Sequence, residues 1–260
     1  MRSESLELRL KAFRLPSFLA NYAELSQKAE RGGWGHLQYL EALAELEAQD
    51  RQSRRVQRLL AEARISREKT LGGLELERFP APLRTQIRGL CDAQFLVSST
   101  NVCVFGNPGT GKTHLVSAIG HELVHGGHSV FFTEVSELVE RLLVAKRDLR
   151  LTRELRRLDR FECLILDDIG YVQQGRDEME VLFTLLSERY ERRSVMITSN
   201  LVFSKWEQIF KDPMTTAAAV DRVVHHSVIL ELNVPSYRAE TAHRAKRAKA
   251  PEHENTDAKK

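Results

Sequence analysis

The sequence predicts an α/β fold, a five-stranded parallel sheet flanked by helices, joined to a small all-helical amino-terminal domain. Three observations lead there. From about residue 95, short apolar runs alternate with helical stretches of roughly ten to twenty residues, the rhythm of strand–helix–strand units with both sheet faces covered. Residues 1 to 64 contain no strand-like run, and their apolar positions recur at helical spacing. One apolar run leads straight into a glycine-rich turn and then an amphipathic stretch.

In the amino-terminal domain the repeats are Leu6, Leu10 and Phe13, then Phe18, Tyr22 and Leu25, then Leu37, Leu40 and Leu43. Pro16 and the Gly32-Gly33 pair punctuate them, which predicts a short helix, a second one, and a long third from His36 to Arg64. Arg51, Arg54, Arg55 and Arg58 share one face of the third helix. That face is either a solvated basic surface or a nucleic-acid contact. Residues 65–94, with Gly72, Gly73, Pro80 and Pro82, read as a linker and lead-in helix.

Residues 95–248 form the expected nucleotide-binding domain, with strands at Asn101–Phe105, Ser129–Thr133, Cys163–Asp167, Val195–Ser199 and Ser227–Leu232. Helices are expected over Gly111–His125, Ser136–Leu158 with a break, Asp177–Arg193, Ser204–Phe210 and Thr215–Val224. The segment 249–260 is polar and aperiodic, and disorder is expected there.

Gly106 to Thr113 reads GNPGTGKT, the pattern of a phosphate-binding loop, with a strand before it and a helix after it. Gly106, Gly109 and Gly111 let the backbone curl so that its N–H groups face phosphate oxygens. The following helix adds its positive end. Lys112 offers an ammonium to the β and γ phosphates, and the Thr113 hydroxyl is placed to ligate Mg²⁺. The site also needs a carboxylate at a neighbouring strand end. Leu164-Ile165-Leu166-Asp167-Asp168 supplies it: Asp167 on the metal side, Asp168 as the base that orients water. The strand ending in Thr198-Ser199-Asn200 puts the Asn200 amide beside the γ-phosphate, where it can position water; asparagine is also a common turn residue.

These motifs in this order resemble the AAA+ P-loop ATPases. Five stretches narrow the resemblance to the DnaC/IstB branch: GNPGTGKTHL (106–115), LILDDIG (164–170), ITSN (197–200), DRVVHHSVILEL (221–232) and SYR (236–238). The amino-terminal helices, with EAR at 62–64 and KTL at 69–71, look like the IstB type, a transposition helper, rather than the alternative, a DnaC-like helicase loader. The resemblance implies that Gly106, Asn107, Pro108, Gly109, Thr110, Gly111, Lys112, Thr113 and His114 hold ATP, with Arg238 as a second sensor. It places Arg222 as a finger reaching the γ-phosphate of a neighbouring subunit, a role worth on the order of 10³ or more in rate. It further implies a homo-oligomer, a DDE-type transposase partner, and no full carboxy-terminal lid domain after Leu232. Asp168 stands where many relatives of the wider class carry glutamate, so hydrolysis is expected to be slow or dependent on partners.

Arg141 to Arg160 holds the densest charge, eight Arg or Lys against three acids. Written as one helix, Lys146, Arg150, Arg153 and Arg157 form a narrow stripe, with Arg147 beside it. In the DnaC, DnaA and IstB group an extra helix here faces DNA. Few aromatics are interleaved, so the expected contacts are with duplex backbone phosphates, without sequence reading. The net charge is only +3, so bulk charge alone does not establish nucleic-acid binding. Cys91, Cys103 and Cys163 show no paired spacing, and no stretch approaches the ~20 apolar residues of a membrane span, which together predict a reduced, cytoplasmic protein.

Overall fold

The computed structural model describes residues 4–170, 175–206, 213–237 and 240, and divides into two compact units, residues 1–61 and 62–260. The first unit contains α1 (Glu4–Ala12), α2 (Pro16–Gly32) and most of α3 (His36–Ala63). Pro16 occupies the first turn of α2, where its missing N–H costs nothing, and Gly33 ends it at φ 65°. Glu47 of α3 accepts the Ser17 N–H at 2.9 Å, so a buried carboxylate faces the positive end of α2. Arg51 and Arg54 lie within ion-pair reach of that same carboxylate, while Arg58 is exposed.

The second unit is built on a parallel sheet in the order β2-β3-β4-β1-β5. Its strands are β1 (Asn101–Gly106), β2 (Val130–Glu134), β3 (Cys163–Ile169), β4 (Ser194–Ser199) and β5 (Ser227–Leu232). The five expected strands are all present. Val102, Val104, Leu164, Ile165 and Met196 have no exposed surface, as a sheet covered on both faces requires. The helices around it are α4 (Ala81–Cys91), α5 (Gln94–Val97), α6 (Lys112–His125), α7 (Val135–Arg147), α8 (Leu151–Leu158), α9 (Arg176–Arg189) and α10 (Pro213–Val224), of which α6 and α7 pack on the strands. The expected helix over Ser204–Phe210 begins as a 3-10 turn at Phe203–Lys205, and residues 207–212 lie outside the described part.

Close packing of α6 on the sheet depends on Gly120, where a Cβ would come within 2.8 Å of both Ile65 and Ile165 Cδ1 atoms. The stretch 65–79 therefore lies against the same helix, and it carries two 3-10 turns, Leu71–Gly73 and Leu76–Arg78. Ser66 and Thr70 carbonyls meet the His121 and His114 rings at 2.9 Å each.

The helix expected over Ser136–Leu158 breaks at Asp148–Arg150. Leu149 takes φ 57°, its N–H donates to Lys146 O, and the Arg150 N–H donates to Ala145 O, the two bonds of a left-handed helix end. The single stripe from Lys146 to Arg157 is thereby corrected: Lys146 ends one helix, Arg150 lies in the break, and Arg153 and Arg157 ride the next. The Arg141–Glu154 ion pair at 2.8 Å ties the two helices together.

Candidate nucleotide site

The strand order explains how distant segments converge. β1 lies between β4 and β5, and the chain crosses over β4 and β3 before laying down β2. Ligands in such sheets gather at the carboxyl ends of the strands beside this switch. Those ends deliver Gly106 from β1, Asp167 and Asp168 from β3, and Asn200 just beyond β4.

A cavity of about 570 Å³ opens there, within the ~300–1,000 Å³ typical of small-molecule sites. Pro108 to His114 form one wall, with Asp168, Thr198 and Asn200 on the wall of strand ends. The loop is tightly folded. Gly109 has φ 84°, and a Cβ there would sit 2.1 Å from Ser236 Oγ. Tyr237 donates its N–H to Gly109 O at 2.9 Å, so the chain after β5 is laced onto the loop. Thr110 Oγ1 donates to Asn107 O at 2.9 Å. Lys112 is 9% exposed, and its Nζ donates to Gly106 O at 2.8 Å and Asn107 O at 3.2 Å, so its ammonium is held within the loop.

Thr113, on the first turn of α6, donates its hydroxyl to Asp167, 2.9 Å from Oδ2 and 3.1 Å from Oδ1. Asp167 is buried at 6% exposure. Its Oδ1 also accepts from Thr198 Oγ1 at 2.6 Å, and Thr198 in turn accepts the Asp168 N–H at 2.8 Å. Asp168 is exposed on the cavity wall with φ 64°, a left-handed backbone that an ordinary residue adopts at a cost of order 1–3 kcal/mol. Asn200 lines the cavity, and its Oδ1 is buried with no hydrogen-bond partner among the described residues.

Two parts of this wall were not anticipated. Thr198 looks in sequence like any β-branched strand residue, although it links both acids. Lys69, Gly73, Leu74, Glu75, Arg78 and Phe79 close another side of the cavity, from a stretch that reads as linker. Arg78 is itself fixed: it donates to Pro235 O at 2.9 Å, pairs with Glu240 at 3.0 Å and lies over the Tyr237 ring at 5.2 Å.

Other predicted residues lie elsewhere. Arg222, on α10, does not line the cavity; its guanidinium donates to Ala218 O at 3.0 Å and covers the Phe183 ring at 4.9 Å. Arg238 lies outside the described residues. Lys146 bonds Glu180 at 2.9 Å and approaches Asp177 at 3.5 Å, and the Glu180 hydrogen bond raises its pKa. Arg157 lies 3.6 Å from Glu154. Arg147, Arg150 and Arg153 are exposed, with no ion pair among the described residues. No helix of the described residues is long and apolar enough to cross a membrane.

Comparison with known proteins agrees with this architecture. Residues 8–245 match the family described as IstB-like ATP binding protein. A Sinorhizobium fredii protein described as an insertion-sequence ATP-binding protein is 43% identical over 243 residues, covering 93% of this chain and 82% of the relative. A Pseudomonas aeruginosa protein, described as an ATP-binding protein of insertion sequence IS21, is 34% identical, covering 92% of this chain and 91% of the relative. Among solved structures, AMPPCP-bound DnaA from Aquifex aeolicus aligns with a TM-score of 0.56 at 16% identity, covering 76% of this chain and 58% of DnaA. DnaI aligns with a TM-score of 0.54 at 20% identity, covering 65% of this chain and 95% of DnaI. These two share the fold, that of AAA+ P-loop proteins. With a phosphate loop, paired strand-end acids and a match over nearly its whole length, the chain belongs to the IstB-like ATP binding protein family.

Proposed function

We propose that this chain is an ATP-hydrolysing helper of DNA transposition, which assembles on duplex DNA and assists a DDE-type transposase in target selection and insertion. The observation carrying the ATPase part is the Thr113–Asp167 pair beside the cavity, held in register by Thr198. A hydroxyl and a carboxylate are hard oxygen donors, and two protein ligands leave room for water and phosphate oxygens, the arrangement Mg²⁺ takes. Thr113 and Asp167 therefore fit as its ligands. Thr113 and Asp167 would hold Mg²⁺ there, and the ion would supply positive charge against that developing on the phosphate. Lys112 exchanges the loop carbonyls for the β and γ phosphates when nucleotide enters. Asp168 acts as base toward the attacking water, and the buried Oδ1 of Asn200, without a hydrogen-bond partner among the described residues, supports a part for it in orienting that water.

Arg222 lies outside its own cavity, which supports its serving a neighbouring subunit. The active unit is then a homo-oligomer whose interfaces close around ATP. Arg147, Arg150 and Arg153, exposed and without ion pairs among the described residues, are the better candidates for backbone phosphates; Lys146 and Arg157 are already engaged by acids. Arg51, Arg54, Arg55 and Arg58 make a second candidate surface, in which Arg51 and Arg54 are tied to Glu47. The insertion-sequence relatives support the transposition side of the reading, which places the protein in the cytoplasm. Sedimentation of the purified chain with ATP and duplex DNA tests it. Assembly that needs both is expected; a chain that stays monomeric with ATP, and whose hydrolysis ignores DNA, contradicts the proposal.

A further inference from the structure

At the end of the sheet opposite the phosphate loop, where β4 and β5 begin, three side chains with metal-binding atoms meet. Glu191 sits in the turn between α9 and β4, and His225 and His226 in the turn between α10 and β5. Glu191 Oε1 lies 4.0 Å from His225 Nδ1 and 3.7 Å from His226 Nε2, and the imidazole centroids are 4.2 Å apart. All three residues are exposed. Both imidazoles thus lie within 4.0 Å of the Glu191 carboxylate, which the Tyr190 side chain also hydrogen-bonds.

The two turns are fastened by one buried residue. Asn101 donates its N–H to His226 O at 2.7 Å and its amide to Val223 O at 3.2 Å. Its side-chain oxygen accepts the Val195 N–H at 3.0 Å. The backbone carrying both histidines is thus bound to the strand into which the Glu191 turn runs. His225 is steadied further by its own N–H, which donates to Asp221 O at 2.9 Å.

We propose that Glu191, His225 and His226 form a zinc site. Two imidazoles and a carboxylate, with a fourth position open to water, are a donor set that Zn²⁺ takes in tetrahedral geometry. Zinc–ligand bonds of about 2.0–2.1 Å place the ligand atoms about 3.4 Å apart in a tetrahedron. The carboxylate–imidazole separations are 3.7 and 4.0 Å and all three ligand atoms lie within 4.8 Å of one another, so side-chain rotations of these exposed residues would close the site. Zinc at His225 Nδ1 replaces one exposed hydrogen bond, that of the Tyr190 hydroxyl at 2.9 Å, a small loss beside three metal bonds. Of the nearby cations, Arg192 is already engaged by Asp159 and Glu188, so it does not compete for Glu191. The metal would clip the end of α9 to the end of α10, one helical turn beyond Arg222. Neither the ligands nor the test involve the nucleotide cavity, so this proposal stands or falls apart from the ATPase reading.

The test is calorimetric titration of the chelator-treated full-length chain with zinc chloride, without nucleotide. Glu191→Gln, His225→Ala, His226→Ala and, as a thiol control, Cys91→Ser are titrated in parallel. The expected result is one zinc per chain in the unaltered protein and in Cys91→Ser, with Kd raised on the order of tenfold or more in the three ligand variants. Zinc should raise the unfolding temperature of the unaltered chain and leave that of the ligand variants in place. Because the three residues are exposed, agreement of their zinc-free unfolding temperatures with the parent checks folding directly. Absence of saturable binding, or binding that survives in both histidine variants, overturns the proposal.

Discussion

The Thr198 hydroxyl donates to Asp167 Oδ1 at 2.6 Å while accepting the Asp168 N–H at 2.8 Å, so one strand residue sets both acids of the site. Thr198→Val keeps the shape and removes the hydroxyl. It leaves the Asp168 N–H without its partner, at a cost of ~1–3 kcal/mol. The expected outcome is a kcat lowered about tenfold or more, as for other groups that orient a metal ligand, with ATP affinity changed far less. Thr198→Ser should restore most of the rate. Steady-state hydrolysis beside a nucleotide-binding titration separates the two quantities; a variant that loses both together through unfolding would show it in its melting temperature.

On the arginine-rich hairpin, charge count and available charge differ. Lys146 is held by Glu180 at 2.9 Å, whereas Arg150 and Arg153 are exposed without ion pairs among the described residues. Replacing Arg150 or Arg153 by alanine should lower the slope of log affinity against log salt by about one each. Lys146→Ala should change it less. Duplex binding measured across a salt series gives the ranking, and equal slopes for all three variants would remove the hairpin from the DNA surface.

The thiols give a pH-dependent signature. Burial pushes Cys103 and Cys163 up to about 12 and Cys91 up to about 11, from 9.0. Since the thiolate is the nucleophile, alkylation of the native chain near neutral pH should be slow at Cys91 and absent at the other two until unfolding. The sign for stability follows from proton counting: above pH 9 the unfolded thiols ionise while the folded ones keep their protons. Stability should therefore fall as pH rises from about 9 toward 12, and buried-to-Ala variants at Cys103 and Cys163 should show a flatter fall in alkaline melts.

Much of this site was readable because its parts are consecutive or follow apolar runs. The glycine spacing of residues 106–113 and the acids ending Leu164-Ile165-Leu166 announce their positions without tertiary information. The stretch 65–79 did not, because Ser66 and Thr70 dock through carbonyls that every residue type possesses, and Arg78 meets Pro235 and Glu240 only across some 160 residues of chain. Thr198 was hidden because its role depends on the β3–β4 pairing, which sets Leu166 against Ile197 just before the acids. The break at Leu149 carries no glycine or proline to mark it; a leucine occupies the left-handed position where glycine is usual. The Lys146 partners belong to α9, beyond the reach of any helical-wheel argument.

The central claim, an ATP site completed by a neighbour's Arg222, is tested most directly by mixing two variants. Asp168→Asn retains the phosphate loop and Arg222 but lacks the base; Arg222→Ala retains the base and lacks the finger. Each alone should hydrolyse ATP slowly. In an equal mixture, one interface type in four pairs an intact Asp168 with an intact Arg222 from the other chain, so activity should recover to roughly a quarter of the unaltered rate. A mixture no faster than the mean of its components, or Arg222→Ala alone hydrolysing at the full rate, would contradict it.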